Sequence, residues 1–219
     1  MLAELTPPSV AYGEAFRDTP VPLLPEEEAV VAHAVLERRR EFTTVRRLAR
    51  EALAQLGVPP APILRGPRGE PRWPPGVVGS MTHCAGYRAA AVARTGEVLA
   101  LGIDAEPDEP LPDGVLEAVS LPRERRHLAG LAAGRPEVRW DRLLFSAKES
   151  VYKAWFPLAR RPLGFEHAEL VFDPGEGTFR AQLRLPGPLV AGARLDAFSG
   201  RWLARDGLVA TAVCLPRRN

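Results

Sequence analysis

Several residue types are scarce in this 219-residue chain, and each scarcity excludes a class of protein. The two cysteines, Cys84 and Cys214, are too few for a disulfide framework or a cysteine-ligated metal cluster, which fits a reducing cytoplasm. No apolar run approaches the roughly 20 residues that a membrane-spanning helix needs. The first residues also lack the charged segment and apolar stretch of a secretion signal. We therefore expect a soluble cytoplasmic protein.

Lysine is scarce as well, because only Lys148 and Lys153 are lysines among the 29 Lys and Arg residues. They lie five residues apart in Phe-Ser-Ala-Lys-Glu-Ser-Val-Tyr-Lys-Ala-Trp. Arginine can replace lysine wherever only a positive charge is needed, whereas a compact ammonium with three donors offers what a planar guanidinium does not. The stretch from Phe145 to Lys153 is therefore the first candidate for chemistry.

The charge is small overall but unevenly distributed. The formal net charge is +2, yet residues 1–110 carry 12 arginines against 15 acids, and residues 111–219 carry 17 basic against 12 acidic side chains. A basic second half suits an acidic protein partner or a phosphate-bearing ligand, although ordinary surface variation gives the same pattern. Neither half has a dense basic stripe interleaved with aromatic residues, so we expect no nucleic-acid binding.

Helices are predicted in both halves. Pro25 followed by three glutamates is a favourable helix start, apolar residues recur at helical spacing from there to Leu56, and Gly57 is a stop signal. The β-branched patch 42–45 predicts a break into two helices, while residues 1–24 are rich in proline and predicted irregular. Further helices are predicted over roughly 113–134 and over 139–156.

Strands follow the helices in each half. The predicted segments are 77–83, 87–94 and 98–106 in the first half, and 167–173, 178–185, 200–205 and 208–215 in the second. Short connectors predict a meander of the first three strands, and Asp206-Gly207 is a type I′ hairpin signal. With a linker at 107–113, this order predicts an α+β, pseudo-duplicated protein. Its two similar halves, 1–109 and 110–219, each have helices packed on a small antiparallel sheet.

Three clusters of residues could perform chemistry. On a strand, Asp104 and Glu106 point to one face, where two carboxylates repel and favour a hard cation such as Mg²⁺, unless they simply form a solvated strand end. Glu149 and Lys153 lie four residues apart on a helix, where a surface salt bridge of about 0.3–0.5 kcal/mol is the simpler interpretation. His83 ends a strand and could cover a phosphate or merely be a turn residue.

Together these clusters predict a site at the interface of the two halves that handles phosphate with a divalent metal. A hydrolase triad of Ser80, His83 and Asp104 is disfavoured because no Gly-x-Ser-x-Gly elbow surrounds the serine. A Mg²⁺-dependent nuclease or phosphohydrolase remains an alternative, but it needs the later acid and lysine on one strand. A coenzyme A-binding protein without activity is a third possibility.

The sequence resembles the 4′-phosphopantetheinyl transferases. Ser-Met-Thr-His-Cys, Gly-Ile-Asp-Ala-Glu-Pro and Phe-Ser-Ala-Lys-Glu-Ser-x-x-Lys-Ala are similar to the three signature motifs of the two-domain surfactin-type group, in particular its enterobactin synthase component D-like and actinobacterial members. The resemblance implies transfer of the phosphopantetheine arm of coenzyme A to a serine of an apo acyl or peptidyl carrier protein of polyketide, nonribosomal peptide or fatty acid synthesis. Adenosine 3′,5′-bisphosphate is the implied by-product, and the implied enzyme is a monomer.

The resemblance also implies residue roles. It assigns Mg²⁺ to Asp104, Glu106 and Glu149. It also implies three catalytic residues: Glu149 as general base, Lys153 on the reacting phosphate, and His83. It implies that coenzyme A is bound by Arg38, Arg46, Arg65, Ser80, Met81, Thr82, His83, Asp104, Lys148 and Lys153. Two positions depart from the family pattern, since many members have Trp at Phe145 and a third polar residue at Ala105. The alanine leaves room for a water ligand.

Overall fold

A computed structural model describes residues 1–190 and 192–217 of the chain. The helices are α1 (Leu2–Leu5), α2 (Pro25–Val30), α3 (Leu36–Gln55), α4 (Val115–Val119), α5 (Pro122–Gly134) and α6 (Trp140–Ala159). The strands are β1 (Ala11–Ala15), β2 (Val77–Cys84), β3 (Tyr87–Arg94), β4 (Val98–Pro107), β5 (Ala168–Asp173), β6 (Thr178–Leu183), β7 (Leu189–Val190), β8 (Ala193–Arg194), β9 (Ala197–Arg205) and β10 (Leu208–Pro216). None of these helices is both long and apolar enough to span a membrane.

The strands form two main antiparallel sheets. One has three strands in the order β1-β3-β2, and the other has five in the order β4-β10-β9-β6-β5. The mixed α+β architecture with antiparallel sheets is confirmed. The predicted meander is wrong, because β4 leaves its sequence neighbour β3 and pairs with β10, with Asp104 opposite Thr211. The strand that carries Asp104 and Glu106 therefore belongs to the sheet of the second half.

The core is layered. Helix α3 packs on one face of the three-stranded sheet through Leu48, Leu53 and Val92. The other face of that sheet meets the five-stranded sheet, whose opposite face is covered by α6 around the fully buried Trp155. Because β3 lies between two apolar layers, seven of its eight residues are buried. The resulting order, helix–sheet–sheet–helix, places α3 and α6 on opposite outer sides.

Two sequence expectations about the first half are corrected. The segment 42–45 does not break a helix, because all four residues are buried and α3 is continuous through them. The break lies at residues 31–35 instead, between α2 and α3. Residues 1–24 also contain structure, since β1 pairs with β3 and the buried Leu2 and Leu5 hold α1 against the core.

The hairpin between β9 and β10 is confirmed. Asp206 and Gly207 both have positive φ, at 54° and 74°, as a type I′ turn requires. Helix α6 is also close to its prediction, running from Trp140 to Ala159 with Pro157 in its last turn.

Candidate active site

A cavity of about 720 Å³ lies between α3, the loop at residues 67–73, β2, the first half of β4, and α6. Residues from both halves of the chain therefore line it. Its cationic lining residues are Arg38, Arg46, Arg68, Arg72, Lys153 and Arg160, and its acidic ones are Glu41, Glu70 and Glu149. This excess of cations suits a ligand that carries several negative charges.

Gly102 explains why α6 lies so close to β4. A Cβ atom at this position would come within 1.9 Å of the Ser150 carbonyl oxygen, so only glycine permits this approach of helix to strand. The buried hydroxyls of Ser146 and Thr211 lie 3.0 Å apart and join α6 to β10 one helical turn earlier, where Thr211 is opposite Asp104. The consequence is that Glu149 and Lys153 are brought against the carboxylate end of β4.

The edges of β2 and β4 are joined by side chains. The Ile103 N–H donates to Ser80 Oγ (3.0 Å) and the Ala105 N–H donates to Thr82 Oγ1 (3.3 Å). The Thr82 hydroxyl also donates to Asp104 Oδ1 at 3.2 Å. Ser80 and Thr82, predicted to bind the nucleotide, do line the cavity, but their hydroxyls are occupied in fixing β4 and Asp104.

Lys153 lies on Asp104. Its ammonium donates to Asp104 Oδ1 at 2.7 Å and to the Ile103 carbonyl at 3.0 Å. Asp104 is 6% exposed, so this is a nearly buried ion pair. The alternative of a surface salt bridge between Lys153 and Glu149 is therefore wrong for this structure. The nuclease alternative is wrong as well, because Glu149 and Lys153 lie on a helix and not on a strand.

The three predicted metal ligands share an acidic environment. Burial raises the pKa of Glu149, Lys153 opposes this shift and the charge of Asp104 adds to it. Burial and the charge of Asp104 raise the pKa of Glu106, while Arg142, whose Nη1 lies 3.2 Å from Glu106 Oε2, lowers it. These carboxylates therefore disfavour one another's charge, and a cation among them would relieve the repulsion.

The carboxylate oxygens of the three predicted ligands are the kind of ligand that magnesium prefers, but they do not surround one point. Asp104 Oδ2 is buried and has no hydrogen-bond partner, as a carboxylate oxygen reserved for a cation would be. Among residues 1–190 and 192–217, however, no group of three His, Cys, Asp or Glu side chains lies close enough together to hold a metal ion. Lys153 forms an ion pair with Asp104, and Arg142 forms one with Glu106. Each of these two carboxylates of β4 is therefore already paired with a basic side chain of α6.

His83 lies at the end of β2 and lines the cavity, where it contacts Arg38 of α3. Burial lowers the pKa of His83, and the charge of Arg38 lowers it further, while Glu41 opposes the shift. The lowered pKa favours the neutral imidazole, which can accept a hydrogen bond from the Arg38 guanidinium. Arg38 and His83 therefore lie in contact with each other where both line the cavity.

The other two predicted arginines differ from each other. Arg46 lines the cavity beneath Phe42, and burial lowers its pKa to about 10, an effect that the buried Glu27 opposes. Arg65 is exposed, and its guanidinium lies 5.6 Å from the Phe42 ring, outside the set of residues that lines the cavity. Arg68, from the same loop, does line it and is the better placed of the two.

The prediction that Lys148 binds coenzyme A is wrong. Its ammonium donates to Glu124 Oε2 at 2.8 Å and to the Phe165 carbonyl at 2.7 Å. The side chains of the pair are 2% and 0% exposed. Burial lowers the pKa of Lys148, and the hydrogen bond that its ammonium donates to Glu124 opposes this shift. Lys148 therefore joins α6 to α5 inside the protein and has no access to a ligand.

Two kinds of site residue were missed in the sequence. Arg142 lies seven residues before Glu149, two turns earlier on the same side of α6, and this spacing could have indicated it. Aromatic side chains also line the cavity, including Tyr152 and Phe156, which stack with ring centroids 6.0 Å apart, and Trp73. The Trp73 indole donates to the Gly79 carbonyl (2.9 Å), an arrangement that no local sequence pattern indicates.

Comparisons with known proteins define the class of this chain. Residues 26–93 match the family model of the 4′-phosphopantetheinyl transferase N-terminal domain, and residues 100–204 match that of the 4′-phosphopantetheinyl transferase superfamily. The chain therefore belongs to the 4′-phosphopantetheinyl transferases and is a transferase enzyme, as its three motifs indicated.

Individual relatives agree with this assignment. The 4′-phosphopantetheinyl transferase Svp of Streptomyces mobaraensis is 61% identical over 219 residues, which covers 98% of this chain and 89% of that protein. The 4′-phosphopantetheinyl transferase PptT of Mycobacterium tuberculosis is 49% identical over 98% of both chains. A more distant relative, enterobactin synthase component D of Salmonella typhi, is 32% identical over 61% of this chain and 55% of that protein.

Proposed function

We propose that this enzyme transfers the 4′-phosphopantetheine arm of coenzyme A to a serine hydroxyl of an apo acyl or peptidyl carrier protein. The observation that carries the proposal is the cavity itself, whose cationic lining residues come from both halves and share it with Glu149. One of these residues, Lys153, is paired with Asp104. Coenzyme A carries a diphosphate and a 3′-phosphate, which is the ligand charge that such a lining favours.

In this reaction the serine oxygen forms a bond to the phosphorus next to the pantetheine, and the bond from that phosphorus to the bridging oxygen breaks. Glu149 accepts the serine proton, directly or through a water, and its raised pKa makes it a better base than a free carboxylate. Lys153 donates to the phosphate oxygens, where negative charge accumulates as adenosine 3′,5′-bisphosphate departs.

The remaining roles follow the lining of the cavity. Arg38, Arg46 and His83 bind phosphates of coenzyme A from the first half, and Met81 packs beside them. Arg65, if it takes part, must swing in from outside the cavity, and Arg68 can take the same role. Asp104, Glu106 and Glu149 would hold Mg²⁺, which would supply charge neutralisation of the diphosphate. The unpartnered Asp104 Oδ2 supports this assignment.

We further propose that the enzyme is a cytoplasmic monomer in which residues 1–109 supply most coenzyme A contacts and residues 110–219 supply the Glu149–Lys153 helix. The basic second half suits the acidic helix that surrounds the target serine of carrier proteins. Light scattering after gel filtration should give a mass near 23.9 kDa, and a dimer mass would contradict the monomer.

The test of the function is incubation with coenzyme A, Mg²⁺ and several apo carrier proteins, followed by intact mass measurement. We expect the carrier to gain the phosphopantetheine group. Glu149→Gln and Asp104→Ala should abolish the gain while folding is retained. No modification of any carrier would contradict the function, and full activity of both variants would contradict the residue assignment.

A further inference from the structure

The first turn of α6 holds both the linker after β4 and one of the β4 carboxylates. Arg142 uses all three guanidinium nitrogens: Nε donates to the Glu109 carbonyl (2.9 Å), Nη2 donates to the Pro110 carbonyl (2.7 Å), and Nη1 donates to Glu106 Oε2 (3.2 Å). The side chain is 15% exposed. Its hydrogen bonds fix it to the linker on one side and to Glu106 on the other. Its position is therefore set by the linker and not by Glu106 alone.

The neighbouring Asp141 shares one of the two contacts that Arg142 makes, the contact with the linker after β4. Its Oδ2 accepts the Leu111 N–H at 2.8 Å and so holds the same linker. Asp141 is bound to the backbone after Pro110, whereas Arg142 is the residue of this turn that reaches a β4 carboxylate. The two adjacent side chains thus share the linker, and one of them adds a positive charge at Glu106.

We propose that Arg142 is a positioning residue that competes with a divalent cation for Glu106; the inference rests on the magnesium site proposed above. A guanidinium and a hard cation claim the same carboxylate oxygen and repel each other. While Arg142 holds Glu106 Oε2, the three carboxylates are not gathered as a metal site within the described residues. Cation binding then requires Glu106 to leave Arg142, which the linker contacts keep in place.

The proposal predicts that loss of the Arg142 charge tightens cation binding, because the guanidinium then neither repels the cation nor occupies Glu106. We would measure Mn²⁺ binding by electron paramagnetic resonance and calorimetry, with Mg²⁺ as competitor and without coenzyme A. Arg142→Gln keeps a donor for the linker carbonyls but loses the charge, and we expect its affinity for Mn²⁺ to rise about threefold or more. Arg142→Lys keeps the charge and should bind Mn²⁺ like the wild type.

Asp141→Ala is the matched control, since it loosens the linker without removing the charge at Glu106. Its Mn²⁺ affinity should equal that of the wild type, and the melting temperatures of all variants without metal report any general unfolding. In the transfer assay, the Mg²⁺ concentration for half-maximal rate should fall in Arg142→Gln.

The outcomes separate the inference from the proposed function. Unchanged or weaker Mn²⁺ binding by Arg142→Gln would overturn the competition, and so would an equal gain in Asp141→Ala. If the wild type binds Mn²⁺ and Glu149→Gln weakens that binding, the magnesium site stands whichever way Arg142 behaves. If the wild type and Arg142→Gln both fail to bind Mn²⁺, the magnesium site and the inference are both overturned.

Discussion

At the scale of single residues, Lys153 and Lys148 occupy opposite environments on one helix. Lys153 is 26% exposed and reaches the cavity, where one ammonium contacts the Asp104 carboxylate and the Ile103 carbonyl. Lys148 is enclosed by Glu124 and the Phe165 carbonyl. The five-residue separation turns them to different faces of α6, because five residues cover about one and a half turns.

Lys153→Arg should lower the rate of transfer at least about tenfold at saturating coenzyme A, since a planar fork cannot occupy the place of a compact ammonium between two oxygens. Charge is retained, so coenzyme A affinity should change by no more than a few-fold. Rates from intact mass and affinity from calorimetry check both values. A variant with full rate would contradict the role of Lys153 at the reacting phosphate.

Lys148→Met should destabilise the fold by about 3–5 kcal/mol, because it leaves the Glu124 carboxylate buried without its ion-pair partner. Denaturation in urea measures this loss. The double variant Lys148→Met with Glu124→Gln removes both charges but keeps an oxygen that can accept the Leu170 N–H, so it should recover part of the stability. Loss of coenzyme A affinity in a stably folded Lys148→Met protein would restore a ligand-binding role.

At the scale of elements, the packing of α6 on β4 decides the geometry of the site. Gly102→Ala would place a methyl group 1.9 Å from the Ser150 carbonyl, so the helix must move away and carry Glu149 and Lys153 with it. We expect a loss of transfer activity of about a hundredfold or more, as for misplacement of catalytic groups by about 1 Å, together with a lower melting temperature.

Gly130→Ala is the control for this substitution. Gly130 lies within α5, where an added Cβ meets nothing within 4 Å. Alanine there should stabilise the helix by up to about 1 kcal/mol and leave activity unchanged. Equal behaviour of the two variants would show that the close approach at Gly102 does not position the site.

Local patterns predicted the elements well but not their partners. Strands β2 and β3, helix α6 and the β9–β10 hairpin follow from periodicity and turn residues. The partner of β4 does not, because β10 lies about a hundred residues further along the chain and sequence periodicity carries no pairing information. In α3, burial of residues 42–45 outweighs their weak helix propensity.

The same distinction applies to the site. Motif resemblance indicated Asp104, Glu149 and Lys153, and the structure brings the first and last of these together. It misplaced Lys148, because the partner that buries this lysine is Glu124, on another helix 24 residues away. It missed Arg142, because on an arginine-rich chain the spacing of one arginine from Glu149 is a weak signal until its carboxylate partner is known.

At the scale of the whole molecule, the two sheets are joined at the site by hydroxyl groups. Ser80 and Thr82 alternate along β2 and accept the N–H groups of Ile103 and Ala105, which alternate in the same direction along β4. The two hydroxyls therefore take the place of carbonyl oxygens in a ladder, with the two strands running parallel. Any relative movement of the two sheets would strain these bonds and displace Asp104.

Ser80→Ala should therefore weaken the junction between the sheets. The buried Ile103 N–H would lose its acceptor, which costs about 1–3 kcal/mol of unfolding free energy. The Ile103 amide should exchange with solvent deuterium faster than in the wild type, because opening of the junction becomes easier. Amides of β9 should be unaffected until global unfolding, since their ladder with β10 is unchanged.

Ser199→Ala provides the comparison, because Ser199 is an exposed serine on β9, away from the junction. Its stability should stay within about 0.5 kcal/mol of the wild type. If Ser80→Ala behaves the same way, the hydroxyl bonds contribute little and the sheets are held by their apolar faces alone. The other outcome is that Ser80→Ala loses stability and needs more coenzyme A for its half-maximal rate. That result would show that the junction sets the width of the cavity. The reason is that β2 forms one wall of the cavity and α6, packed on β4, forms the other.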